Sequence, residues 1–150
     1  SAKKRVKLFD EIINSALSYS YKIVSNETID EINILQASLR GMKESIDALN
    51  INPDLILVDG NKKFDHNIEA IPIVKGDTKS FSIAAASVIA KVIRDRIMIK
   101  LSNGHPNYSW EVNKGYPTKK HIEAIRKYGV TEYHRKTFLR KIFNEQNEIF

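Results

Sequence analysis

Residues 76–98 read GDTKSFSIAAASVIAKVIRDRIM, and the chain is best read outward from this stretch. It opens on a Gly-Asp turn at Gly76 and Asp77 and holds no proline or glycine from Phe81 to Leu101. That pattern predicts one long helix. Ile83, Ala84, Ala86, Val88, Ile89 and Val92 leave little polar face on its first half, which predicts a buried helix. Alanines at 84 to 86 would let another backbone come close. Asp95 falls on the stripe of Ala84, Val88, Val92 and Met98. A carboxylate on such a stripe is costly unless it is paired or binds a metal. The plain partner is Arg94 or Arg96.

Upstream, Leu55 to Val58 (LILV) is a continuous apolar run bounded by turn residues, which reads as a fully buried strand ended by Asp59-Gly60-Asn61. Ala70 to Val74 reads as a second strand, and Pro72 inside it points to an edge. Further back, Ala2 to Ser18 has helical apolar spacing, and Tyr21 to Ser25 (YKIVS) is a short strand candidate. Thr28 and Glu31 have the spacing of a capping box, and the helix they open breaks near Asn33. Downstream, Asn107 to Thr118 is an aromatic loop, Thr118 caps a helix from Lys119 to Tyr128, and Gly129 ends it. A last helix is expected from Lys136 to Phe143. Strands alternating with helices make the chain α/β, and its 150 residues fit one domain.

The formal net charge is +6, and the lysines and arginines gather at 3–7, 91–100, 114–127 and 135–141. A basic globular chain of this kind suits a polyanionic partner such as nucleic acid. The absence of cysteine excludes disulfides and thiolate metal sites and is compatible with a reducing cytoplasm. No segment approaches the ~20 apolar residues of a membrane span, and no signal peptide is visible.

Two carboxylates stand out as chemistry. Asp59 ends a strand at its carboxyl end, where α/β sheets place ligands, and Asp95 sits on the long helix. Together they would suit a hard divalent cation, although on spacing alone an ordinary Asp-Gly turn is the simpler explanation of Asp59. Tyr116, in NKGYPTKKH, could stack on a sugar or base among lysines. Alternatively it packs the loop onto the body with Tyr108 and Trp110. His121 and His134 have no metal-ligand spacing and read as structural, and no glycine-rich nucleotide loop or serine-nucleophile motif occurs.

In chain order, IDEINILQAS, LILVDGN, IVKGDTKSFSIAAASVIAKVIRDRIM, HPNYSWEVNKGYPTKKH and HRKTF resemble ribonuclease HII, the type 2 ribonuclease H, essentially end to end. The resemblance implies a ribonuclease H-like fold: a mixed sheet flanked by helices, with a helical C-terminal region. It implies hydrolysis of the RNA strand of RNA–DNA hybrids and incision of DNA 5′ of embedded ribonucleotides, leaving 3′-hydroxyl and 5′-phosphate ends. The implied cofactors are two Mg²⁺ or Mn²⁺ ions held by four acids. Asp59 matches the third acid, Asp95 the fourth, and Tyr116 the tyrosine that stacks on the ribonucleotide sugar. Lys75, Gly76, Asp77 and Ser80 match a segment beside the site and are expected to support it or contact nucleic acid.

The family's glycine-rich DEAGRG strand, the two strands after it and its DSKKL motif have no match in these residues. SAKKRVKLFDEI resembles the segment directly after DSKKL, so the expectation is a ribonuclease HII domain lacking three N-terminal strands and inactive alone. A cytoplasmic monomer is expected. The terminal QNEIF weakly resembles a sliding-clamp docking motif. The rival readings are a ribonuclease HIII-like nuclease, which would lack the GYxT tyrosine, and a non-catalytic basic nucleic-acid-binding module.

Overall fold

The computed structural model describes residues 2–144. They group into two compact units: one within 2–24 and 35–93, the other within 25–34 and 94–144. Among the described residues, no helix is long and apolar enough to cross a membrane.

The first unit begins with α1, Ala2–Ser15, whose Phe9 is buried against Ile89 and Val92. The helix stops three residues short of the expected Ser18. The Ser15 hydroxyl donates back to the Glu11 carbonyl at 2.7 Å, a local bond that competes with helix continuation. Ser18 instead accepts the Asn50 N–H at 3.2 Å.

The strand expected at Tyr21 to Ser25 does not form. This segment runs along α2, Asn26–Asp47, rather than beside a strand. The Ser20 hydroxyl donates to the Ser45 carbonyl, and Val24 lies against Gly41, where a Cβ would meet its Cγ2 at 3.1 Å. With its anchors on a helix, YKIVS has no ladder to join. The helix breaks where expected, with Asn33 at φ 69° and ψ 164°. That break coincides with the boundary between the units, which falls after Ile34.

Two parallel strands follow, β1 at Ile56–Asp59 and β2 at Ala70–Ile73, in the register Ile56 to Ala70 and Asp59 to Ile73. The Ile56 N–H donates to the Glu69 carbonyl and the Gly60 N–H to the Ile73 carbonyl. Odd-numbered β2 residues therefore face β1, and Pro72, lacking an N–H, points away where nothing is required of it. β1 is not buried on both faces as its apolar run suggested. Ile56 and Val58 are buried with Ala70 over Ile46, Phe64 and Ile68, whereas Leu57 is half-buried and Leu55, just before the strand, is exposed. One covered face restores the usual strand alternation.

α3 spans Phe81–Gly104 and passes from the first unit into the second. It starts after Ser80, whose Oγ accepts the Ile83 N–H at 3.4 Å. The expectation of a helix buried all round is corrected. Ile83, Ile89 and Val92 are buried, but Ala86 and Ala90 are exposed and Phe81 is 89% exposed. No described element covers that side, so apolar composition alone overstated the burial.

In the second unit, the first turn of α2 is capped by Ser25, not by the expected Thr28. The Ser25 hydroxyl accepts the Thr28 N–H at 3.2 Å. The aromatic loop folds into a short 3₁₀ turn at Pro106–Tyr108 and the one-turn helix α4, Trp110–Asn113. α5, Lys119–Tyr128, begins at Thr118, whose Oγ1 accepts the His121 N–H, and ends at Gly129 with φ 83°, as expected. Tyr108, Trp110, Ala124 and Ile125 form the core with Met98, Leu101 and Leu139. α6 runs over Lys136–Asn144. Its cap comes from far away in sequence: the Asp30 carboxylate accepts the Lys136 N–H at 2.6 Å and the Thr137 N–H at 3.1 Å.

Candidate active site

Asp59 ends β1, the position from which a strand aims a side chain at ligands. Its Oδ1 accepts the Gly76 N–H at 2.8 Å. The turn after β2 makes this possible. Lys75 adopts the left-handed conformation at φ 56°, and Gly76 to Thr78 form one 3₁₀ turn. The Ser80 N–H donates to the Gly76 carbonyl at 2.8 Å. Gly76 is buried, with an added Cβ only 2.5 Å from Ile83 Cδ1. A methyl at 76 would fit only if the end of the Ile83 side chain moved aside, so glycine packs best at this turn. Lys75 and Asp77 stay exposed and Ser80 half-buried. The structure thus brings Asp59 into direct contact with Gly76, with Lys75 and Asp77 in the same turn and Ser80 just after it.

Asp95 and Tyr116 meet through one side chain in the second unit. Arg94 donates from Nη2 to Asp95 Oδ1 at 3.1 Å and from Nη1 to the Tyr116 hydroxyl at 2.9 Å. Its Cζ lies over the Tyr116 ring, 5.2 Å from the centroid, within cation–π range. Arginine was expected to neutralise Asp95, and Arg94 does. Burial works against the guanidinium charge, but the bonds to Tyr116 and Asp95 outweigh it and hold the pKa above its ordinary value. Asp95 is the more sheltered partner, its side chain 16% exposed against 41% for Arg94.

The two readings of the aromatic loop separate cleanly. Tyr108 and Trp110 are 5% and 2% exposed and pack the loop, stacked with ring centroids 5.1 Å apart, whereas Tyr116 is 57% exposed. Tyr116 is nevertheless fixed. Its carbonyl accepts the Thr118 N–H at 2.8 Å and faces His121 Nδ1 at 2.9 Å. The Trp110 indole N–H can only donate, and it points at His121 Nε2 at 3.0 Å. His121 is thereby set as the Nδ1–H tautomer, with its N–H directed at the Tyr116 carbonyl. His121 and Arg94 were not foreseen as Tyr116 partners. The only sequence signal was the Thr118 cap, which places His121 in the first turn of α5.

His134 is buried beside this cluster, its ring 5.1 Å from Tyr108. Its Nδ1 accepts the Thr131 N–H at 2.9 Å. Burial, then the positive charge shared with His121 and His105, push its pKa below the usual 6.5.

Carboxylate oxygens are the right donors for Mg²⁺ or Mn²⁺. Yet no group of three or more His, Cys, Asp or Glu side chains comes together among the described residues. Asp59 and Asp95 fit such an ion in chemistry but not in number. Asp59 with Gly76 belongs to the first unit, and Asp95 with Arg94 and Tyr116 to the second. The terminal QNEIF lies outside the described residues.

A family model for ribonuclease HII matches residues 1–146. Ribonuclease HII of Caldicellulosiruptor saccharolyticus is 50% identical over 140 residues, covering 93% of this chain and 68% of that protein. Ribonuclease HII of Mycoplasma capricolum is 49% identical over 146 residues, covering 95% and 70% respectively. The relative from Clostridioides difficile is 51% identical over 142 residues, covering 95% of this chain but 56% of that protein. Among solved structures, ribonuclease H2 from Pyrococcus horikoshii aligns with a TM-score of 0.73 at 26% identity, over 91% of this chain and 72% of that one. The likeness shows the ribonuclease H-like α/β fold expected from the sequence. On the family match and these identities, the chain belongs to the ribonuclease HII family.

Proposed function

We propose that this chain carries part of the active site of an endoribonuclease. It would hydrolyse the RNA strand of RNA–DNA hybrids and incise duplex DNA 5′ of single ribonucleotides, leaving 3′-hydroxyl and 5′-phosphate ends. The observation that carries the reading is Tyr116. It is the exposed aromatic of a loop whose other aromatics are buried, and it is held at both its carbonyl and its hydroxyl. A rigid exposed ring suits stacking on a ribose, where the 2′-OH separates RNA from DNA. Asp59 and Asp95 are the proposed ligands for divalent ions, and when bound such ions would supply charge stabilisation at the scissile phosphate. Lys75, Gly76, Asp77 and Ser80 are proposed to shape the Asp59 end of the site. Gly76 does so by donating its N–H to the carboxylate. The basic stretches would neutralise the nucleic-acid backbone.

Two carboxylates do not by themselves make a two-ion site, so the 150 residues alone are expected to bind metal weakly and cleave poorly. We propose a monomer acting in the cytoplasm in the removal of ribonucleotides from DNA.

The test is cleavage of a DNA duplex holding one ribonucleotide, in Mg²⁺ and in Mn²⁺. The chain is assayed alone and with a polypeptide bearing the family's acidic, glycine-rich strand. Cleavage on complementation, lost with Asp59→Asn or Asp95→Asn, is expected. Cleavage surviving both substitutions would overturn the assignment of the acids. Hybrid binding that tightens equally with and without metal in the Asp59→Asn/Asp95→Asn double variant would favour the non-catalytic binding module.

A further inference from the structure

Tyr116 and Asp95 are far apart in sequence and have different proposed duties, yet one guanidinium touches both. Three features of Arg94 bear on this. Its two terminal nitrogens are divided between the phenol and the carboxylate, at 2.9 and 3.1 Å. Its Cζ lies over the Tyr116 ring. Its Nε is buried without a hydrogen-bond partner, so the fork is held through its outer nitrogens only. A planar fork can serve two acceptors in fixed directions, and an ammonium on a flexible stem cannot reproduce that.

We propose that Arg94 is a positioning residue for ribonucleotide selection: it holds the Tyr116 phenol and ring in place while also holding the Asp95 carboxylate. This deepens the reading of Tyr116 as the sugar-contacting residue and rests on it. The chemistry comes from donor and acceptor roles. The guanidinium can only donate, so the Tyr116 oxygen accepts from Arg94 and its own O–H remains to donate. That leaves a directed hydroxyl beside an exposed ring, which is what a ribose 2′-oxygen requires and a deoxyribose cannot answer. On the other side, the same guanidinium occupies Asp95 Oδ1. A shift of the Arg94 side chain would therefore move the sugar contact and the acid together.

The experiment measures, in the full-length protein, binding of a duplex with one ribonucleotide against the matching all-DNA duplex. Binding is followed by fluorescence anisotropy without divalent metal, which keeps any change in metal binding out of the readout. Tyr116→Ala should collapse the ratio of the two affinities. Arg94→Ala should lower that ratio by roughly tenfold, the scale of losing a charge-assisted hydrogen bond. Arg94→Lys should recover only a small part of it. Arg94→Ala in the Tyr116→Ala background should add nothing to the loss of selectivity.

A merely structural or electrostatic role would weaken both duplexes alike and leave the ratio unchanged. If Tyr116→Ala collapses the ratio and neither Arg94 variant alters it, the proposal is overturned and the sugar-contact reading stands. If Tyr116→Ala itself leaves the ratio intact, both are overturned. Circular dichroism of each variant identifies unfolding, and Arg94→Lys keeps the test decisive should the alanine variant not fold.

Discussion

Gly76→Ala tests how Asp59 is positioned. An alanine Cβ there would sit 2.5 Å from Ile83 Cδ1 and 3.3 Å from Asp59 Oδ1. Carbon atoms in good contact lie ~3.5–4.0 Å apart, so the methyl and the Ile83 terminus compete for the same space. Ile83 is only 6% exposed and cannot swing freely into solvent. Forcing a methyl into such a site typically costs about 1–3 kcal/mol. Restricting the unfolded chain returns about 0.4–1 kcal/mol. The net expectation is a loss of ~1–2 kcal/mol, measured by urea unfolding.

Ile83→Val removes the atom in closest conflict, Cδ1, and alone should cost ~0.5–1.5 kcal/mol. In that background Gly76→Ala should cost nothing or stabilise slightly, because the new methyl fills the vacated space. The cycle should therefore show a coupling of about 1–2 kcal/mol, well beyond the ~0.3–0.5 kcal/mol within which independent sites add. Strict additivity would refute the steric account, and with it the claim that glycine packs best at 76 against Ile83. Alanine keeps the N–H that Asp59 accepts, so the double variant also isolates crowding from hydrogen bonding.

Three further outcomes are expected. Asp30→Ala should destabilise the chain by about 1 kcal/mol through loss of the α6 cap. Burial pushes the Asp30 carboxyl up, but the bonds from Thr137 and Lys136 and the Arg135 charge outweigh it and hold it below the usual 3.8. The contribution of Asp30 is then present above that value and fades as pH falls through the lower folded one. An equal deficit in urea unfolding at neutral pH and near pH ~2 would contradict this. His134 has the opposite chemistry and the same sense of pH dependence. With its folded pKa below 6.5, stability is full above that value and declines as pH falls beneath it. His134→Gln should flatten the decline between roughly pH 7 and 5, and an unchanged slope would remove His134 as its source. Nitrogen-15 NMR should show His121 as the Nδ1–H tautomer, shifting toward a mixture in Trp110→Phe. A dominant Nε2–H form in the native protein would contradict the Trp110–His121–Tyr116 chain.

The parts of the fold that could be read in the sequence were those with local causes. The LILVDG strand came within a residue of its observed bounds because apolar run and turn residues adjoin. The Thr118 cap, the Gly129 stop and the Asn33 break are likewise written in neighbouring residues. What was misread depended on what lies across from an element. YKIVS has strand composition but its Val24 lies against Gly41 of a helix, and Ala86 and Ala90 of α3 are apolar but exposed. The candidate site divides in the same way. Asp95 with Arg94 was foreseeable as adjacent residues. The contact of Arg94 with Tyr116 joins positions 22 apart, and no local pattern announces it. The exposure of Tyr116 against the burial of Trp110 could not be chosen from composition, since both are aromatics of one loop.

The Asp30 cap has a consequence for the order of events when the chain is made. The residue that finishes the start of α6 is synthesised 106 positions before the first amide it serves. Asn26, whose side-chain amide donates to the Glu132 carbonyl, spans the same separation. Closing a flexible loop of that length costs on the order of 4 kcal/mol of chain entropy on the (3/2)RT ln n scale. α6 can flicker into helix locally, but its first turn is completed only once Lys136 and Thr137 have been made and the distant segment has docked. A closure that costly is expected to form late, after the folding barrier has been crossed. Asp30→Ala should therefore speed unfolding far more than it slows refolding in stopped-flow measurements. A matching loss in the refolding rate would mean that this long-range closure already exists in the transition state.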